Sequence, residues 1–238
     1  MNSAESPQRH ESSRNGGLAA IRCSAFLFDL DGVLIDSTPA VERVWAKWAI
    51  EHGFDPDTVV AHAHGRPSLS TVMRFLPEAD HESENQEVER REIDDLEGIV
   101  VLPGAVELLT SLAPHRWTIA TSCTRRLAEA RLRAAGLPIP QCIVTATDVT
   151  RGKPDPEPFL KAAVKLGFRA ADCVVCEDVP AGVMAGKDAG ACVVALRTTF
   201  PEAELRAAGA DFVVNTCADL SVTETDGSLA LHLKSVNV

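Results

Sequence analysis

Apolar residues gather in six short runs, at residues 25–30, 117–122, 143–146, 173–176, 192–196 and 211–214. Each is brief and largely apolar throughout, and most carry β-branched residues, as strands buried on both faces do. Segments 124–135, 157–166, 180–189 and 201–208 read as helices between them. From Trp117 onward strand and helix therefore alternate, which predicts an α/β fold built on a doubly wound parallel sheet core. The interval 37–103 breaks the rhythm with helical signals and no clear strand, so an inserted α-helical domain is expected there. Pro39 opens its first helix, Val41, Val44, Trp45 and Trp48 recur on one face, and Gly53 is placed to end it. Pro56, Pro67 and Pro77 punctuate further short helices. The charge-rich stretch 81–97 reads as a solvated helix face before the chain returns at Pro103-Gly104. Near the end, 220–223 and 228–233 flank Asp226-Gly227, a strong hairpin signal. The expected division is residues 1–20 as a disordered tail, 21–36 and 104–238 as the core, and 37–103 as the insertion.

Composition narrows the class of partner. With 23 basic against 34 acidic residues the formal charge is -11, which opposes nonspecific attraction to nucleic acid or anionic membranes. Residues 1–20 contain no apolar run of the kind a secretory signal needs, and no segment is long and apolar enough to span a bilayer. A cytoplasmic monomer is expected, with neither nucleic acid nor membrane as partner. Seven scattered cysteines imply no disulfide framework. Cys173 and Cys176 form a CxxC, but Val174 and Val175 between them make it a buried strand without a second pair at zinc spacing.

Charge reappears where the apolar runs end. Asp29 and Asp31 leave the first run two residues apart, at the strand end where open α/β sheets bind ligands. Two acids there repel each other unless a cation or proton lies between them. Glu177-Asp178 repeats the arrangement after 173–176, and if the two strands are neighbours, Asp29 and Asp178 can share a hard cation such as Mg²⁺. Thr121-Ser122 offers a hydroxyl and backbone N–H groups to a phosphate before a helix. Lys153 is a cation on a loop stiffened by Gly152 and Pro154.

In this order, FDLDGVLIDS, TIATSCT, GKPDPEPF and VVCEDVPAGVMAGKDAG resemble the motifs of the haloacid dehalogenase superfamily. The resemblance covers nearly everything after Cys23 and implies a Rossmann-like catalytic core with a helical cap over 37–103. It implies Asp29 as nucleophile, Asp31 as general acid and base, and Ser122, Cys123 and Lys153 as phosphate-binding residues. Ser122 and Lys153 also count among the catalytic groups. Asp29, Asp178 and the backbone carbonyl of Asp31 would hold Mg²⁺, and Glu177 would reach the ion through water. A carboxylate can attack phosphorus to form an aspartyl phosphate, splitting hydrolysis into two easier steps.

Asp31 argues against the family's dehalogenases, since a departing halide needs no proton. Lys47, the cap's lysine, reads as a solvated helix residue rather than the imine-forming lysine of phosphonate hydrolases. Sugar phosphomutases of the β-phosphoglucomutase type carry a cap histidine where this chain has Val41, while His52, His62 and His64 fall elsewhere. The segment 62–66, the RWTIATSCT form of the second motif and the run from Lys153 to Pro158 resemble phosphatases of hexitol, hexose and glycerol phosphates. That group includes 2-deoxyglucose-6-phosphate and glycerol-3-phosphate phosphatases. The expectation is a phosphatase of small sugar or polyol phosphates, with His64 and Arg66 as substrate contacts and Gly65 letting the loop approach. The alternatives are a phosphomutase and, more remotely, a non-catalytic protein that binds a phosphorylated metabolite.

Overall fold

The computed structural model describes residues 20–64, 66–225 and 227–234. In chain order, β1 (Ala20–Cys23) and β2 (Ala25–Phe28) precede a two-residue β3 (Ile35–Asp36). Four helices follow, α1 (Thr38–Glu51), α2 (Pro56–Ala63), α3 (Ser68–Phe75) and α4 (His81–Asp94), and β4 (Val100–Val101) closes the excursion. Next come α5 (Ala105–Thr110), β5 (Trp117–Ala120), α6 (Arg125–Ala134), β6 (Ile143–Val144) and α7 (Glu157–Leu166). The chain continues through β7 (Cys173–Glu177), α8 (Pro180–Asp188), β8 (Cys192–Leu196), α9 (Glu202–Ala207) and β9 (Phe212–Val214). It ends in β10 (Leu220–Thr225) and β11 (Ser228–Leu233).

The six expected strands form one parallel sheet in the order β6-β5-β2-β7-β8-β9. Alternate residues of β2 serve opposite faces: Phe26 and Phe28 join one apolar cluster, Ala25 and Leu27 the other. Order reverses around β2, which lies between β5 and β7, so the carboxyl ends of these three strands open on one crevice. Phe28 is level with both Ile119 and Cys176, and the residues after them emerge side by side.

The helices between β3 and β4 bury a cluster of their own around Val44, Trp45, Trp48, Val59, Val72 and Val88. Their ends match the sequence chemistry. Asp55 accepts the Thr58 N–H and Asp80 the Ser83 N–H at the starts of α2 and α4, while Gly53 follows α1 at φ 77°.

Three expectations need correction. Ala20, assigned to the tail, begins β1, which pairs with β11 and turns the expected hairpin into three strands; residues 1–19 lie outside the described residues. A four-residue strand beside a polar segment carries too little alternation to stand out. Asp226 of the hairpin turn also lies outside the described residues, though β10 and β11 pair as expected. Within the interval read as strand-free, Val100–Val101 pairs with Ile35–Asp36, so the two chain crossings meet in a small antiparallel ribbon. Finally, the stretch read as a solvated face ends as helix at Asp94 and buries Val88 and Glu92. Among the described residues, no helix is long and apolar enough to cross a membrane.

Candidate active site

Asp29 follows directly on β2, and its backbone N–H donates to Cys176 O at 2.9 Å, continuing the ladder one residue past the strand. Its carboxylate is buried, and Lys153 Nζ donates to Oδ1 at 2.5 Å. The same ammonium donates to Glu177 Oε1, also at 2.5 Å, and sits 5.2 Å from the centre of the Phe159 ring. Burial works to discharge Lys153, but Asp29 and Glu177 outweigh it and hold the ammonium pKa above its usual value.

Glu177 is held from both sides. Its Oε2 accepts the backbone N–H groups of Asp178 and Val179 at 2.9 and 3.1 Å. A side chain at Gly182, in the first turn of α8, would place its Cβ 1.8 Å from Glu177 Oε1, so glycine alone lets the helix close over this carboxylate. Gly32 is similarly constrained: at φ 77°, its Cβ would lie 2.0 Å from Asp178 Oδ2.

Asp29, Glu177 and Asp178 bring ligand oxygens within 4.8 Å of one another, all three residues being buried. Burial pushes the Asp29 carboxyl up to about 7; Lys153 pulls against this, while Glu177 and Asp31 add to it. Asp178 is also raised, by burial first and then by Glu177 and Asp29, although Thr199 supplies a hydrogen bond. Asp178 Oδ1 is buried without a hydrogen-bond partner among the described residues. Crowded carboxylate oxygens, one of them orphaned, fit a hard divalent cation. Glu177, expected to reach an ion through water, has Oε1 on Lys153 and Oε2 on two amides, so its observed contacts orient the lysine.

Asp31 turns away from this cluster. Its Oδ1 accepts Ser37 Oγ at 2.6 Å and Arg131 Nη1 at 3.0 Å, and its Oδ2 accepts the Cys123 thiol at 3.2 Å. Cys123, expected at the phosphate, donates its backbone N–H to Thr121 Oγ1 at 3.1 Å and turns its side chain to Asp31. Burial and the nearby Asp31 carboxylate raise the thiol pKa well above the usual range, so the group is an uncharged donor. Thr124 caps α6 by accepting the Leu127 N–H, and Ser122, two residues before it, lines the cavity.

Asp29, Asp31, Ser122, Cys123, Lys153 and Asp178 line one cavity of about 890 Å³, and His64 and Arg66 line it too. That volume is ample for a small metabolite. His64 Nε2 lies 3.6 Å from Glu42, Arg66 is exposed, and Gly65 lies outside the described residues. Val41 faces the same cavity, whereas Lys47 is exposed to solvent.

Reading the sequence missed Ser37, Thr199, Glu92 and Arg131. The last two carried a signal: each stands four residues after a buried apolar residue of its own helix, Val88 and Leu127 respectively. A charge at a core-facing position marks a partnered buried group.

Known proteins resemble this chain over most of its length. A 43% identity over 209 residues relates the chain to hexitol phosphatase A of Escherichia coli (strain K12), covering 86% of this chain and 96% of that protein. Glycerol-1-phosphate phosphohydrolase 2 of Saccharomyces cerevisiae is 34% identical over 223 residues, covering 87% and 89%. Among solved structures, a hydrolase from Pseudomonas syringae superposes with a TM-score of 0.70 at 31% identity, over 82% of this chain and 94% of that one. The family model of haloacid dehalogenase-like hydrolases matches residues 23–190, and the chain belongs to that family.

Proposed function

We propose that the protein is a Mg²⁺-dependent phosphatase that hydrolyses small sugar or polyol phosphate monoesters by way of an aspartyl phosphate on Asp29. The observation that carries this reading is the division of labour among carboxylates in one cavity. Asp29 is clamped by Lys153 beside the orphaned Asp178 oxygen, while Asp31 points elsewhere. A nucleophile and a proton carrier need such different surroundings.

Asp29 and Asp178, with the backbone carbonyl of Asp31, would hold the ion, which when bound screens phosphate charge from the nucleophile. Lys153 adds its own positive charge at Asp29 Oδ1 and steadies a phosphate oxygen, with Ser122 on another. Asp31 protonates the departing alkoxide and then takes a proton from the attacking water. Residues 37–103 act as a cap over the core 21–36 and 104–238, with His64 and Arg66 reaching the organic part of the substrate. The names of the related hexitol and glycerol-1-phosphate enzymes support a polyol or sugar ester. Val41, standing where mutases keep a histidine, favours hydrolysis over transfer back to sugar. The reading extends to a cytoplasmic monomer acting on a small molecule; the charge of -11 argues against nucleic acid or membrane partners.

Purified protein assayed across sugar, hexitol and glycerol phosphates, with Mg²⁺ and with a chelator, tests the proposal. Release of phosphate that requires Mg²⁺ is expected. Absence of turnover on the whole panel, or turnover indifferent to chelation, sinks it.

A further inference from the structure

Asp31 has to present the same oxygen to the leaving group and then to water, so its carboxylate needs a fixed orientation. One edge is held by strong donors, Ser37 Oγ and Arg131 Nη1, both on Oδ1. Oδ2 is met by the Cys123 thiol, a weak donor. With both strong donors on Oδ1, Oδ2 is the edge left free to face a leaving group or water.

Arg131 belongs to α6 in the core and is buried. Its Nη2 lies 3.6 Å from Glu92 Oε1, on α4 of the insertion, and the Trp45 indole also donates to that carboxylate. One turn earlier on α4, Glu89 accepts Thr124 Oγ1 at 2.7 Å, at the cap of α6. The insertion therefore grips α6 at two places about two turns apart, its cap and Arg131. Arg131 Nε is buried without a hydrogen-bond partner among the described residues, an unfavourable arrangement for a residue held by packing alone. Carboxylates at its two ends set its orientation instead.

We propose that Arg131 is a positioning residue for Asp31, and that Glu92 makes this positioning depend on contact between insertion and core. The inference rests on the phosphatase reading above. In the first half-reaction the bond from phosphorus to Asp29 forms as the ester P–O bond breaks, and the Oδ2 proton passes to the departing oxygen. In the second, water oxygen bonds to phosphorus, the Asp29 carboxylate leaves, and a water proton returns to Oδ2. Loss of Glu92 from its place frees the guanidinium and leaves Asp31 one donor short.

The test is kcat/KM for aryl phosphates of similar size whose phenols differ in acidity, since that ratio reads the chemistry up to loss of the first product. Nitrophenolate departs without help, whereas phenolate benefits from the proton. Arg131→Lys is expected to lower kcat/KM on phenyl phosphate by roughly ten- to hundredfold and on p-nitrophenyl phosphate by less than about threefold. Glu92→Gln should move the slope against leaving-group acidity in the same direction by a smaller amount, and the double variant should be no worse than Arg131→Lys. Equal losses across the series, or none, overturn the proposal, and a slope changed by Arg131→Lys but untouched by Glu92→Gln overturns the dependence on the insertion. Should Arg131→Lys fail to fold, Glu92→Gln carries the same slope measurement. Wild-type protein inactive on every ester in Mg²⁺ overturns the phosphatase reading itself, a result distinct from an unchanged slope.

Discussion

At the scale of single residues, the two acids of the first motif differ in the donors that hold them, which in the proposed mechanism divides nucleophile from proton carrier. Lys153 lies on Asp29 at 2.5 Å, while Ser37, Arg131 and Cys123 hold Asp31. Asp29→Asn keeps the shape but removes the nucleophile and an anionic ligand, so turnover should fall at least about a thousandfold with the fold intact. Steady-state kinetics beside circular dichroism check this, and appreciable Mg²⁺-dependent activity in the pure variant would remove Asp29 from its role. Both acids were legible in the sequence, because carboxylates at the end of an apolar strand have no structural reason to be there. Arg131 and Glu92 were not read, because α6 and α4 are rich in charge and their buried positions differ from exposed ones only by helical phase.

At the scale of elements, residues just past β2, β5 and β7, with Lys153 from the loop between β6 and α7, line the cavity. The tightest fit is α8 over Glu177, where Gly182 leaves no space for a Cβ. Gly182→Ala must displace a buried carboxylate that also positions Lys153. A loss of about 1–3 kcal/mol in denaturant unfolding is expected, accompanied by reduced kcat. Unchanged stability and activity would mean that α8 shifts without consequence. Arg66, in the loop between α2 and α3, is exposed and lines the same cavity. Arg66→Ala should lower kcat/KM for a good hexitol phosphate more than for p-nitrophenyl phosphate, by about 1–3 kcal/mol. Equal losses would assign Arg66 to the fold, and no loss on either to solvent.

For the molecule as a whole, three buried carboxylates at one sheet edge make the metal-free fold less stable than it could be. Mg²⁺ at a hundred times its dissociation constant should stabilise the protein by about 2.7 kcal/mol, seen as a rise in Tm. Asp178→Ala should blunt that rise and lift the metal-free Tm, by removing a carboxylate crowded by others. A Tm indifferent to Mg²⁺ in the wild type would leave the acidic cluster without its cation. In chelator, the Asp29 carboxyl is raised by burial to about 7 from an unfolded value of about 4. Between these values the folded state binds more protons than the unfolded state, so metal-free stability should decline as pH rises through that window. Thermal melts in chelator from pH 4 to 8 read the trend, and a rise over that span would count against it.

By itself the sequence determined the alternation of buried strands and helices, the helical interval after Asp36, and the four motifs with their residues. These are local properties: hydrophobic period, turn chemistry and spacing along the chain are set by neighbours in sequence. Tertiary structure alone decided that β2 lies beside β7, which makes neighbours of Asp29 and Glu177, and that the loop between β6 and α7 brings Lys153 onto both. It also decided that α4 presses Glu92 toward Arg131, and that β1 adds a strand to the terminal hairpin. Each of these joins segments far apart along the chain, where the deciding quantity is which faces can be buried together, and no local period records it.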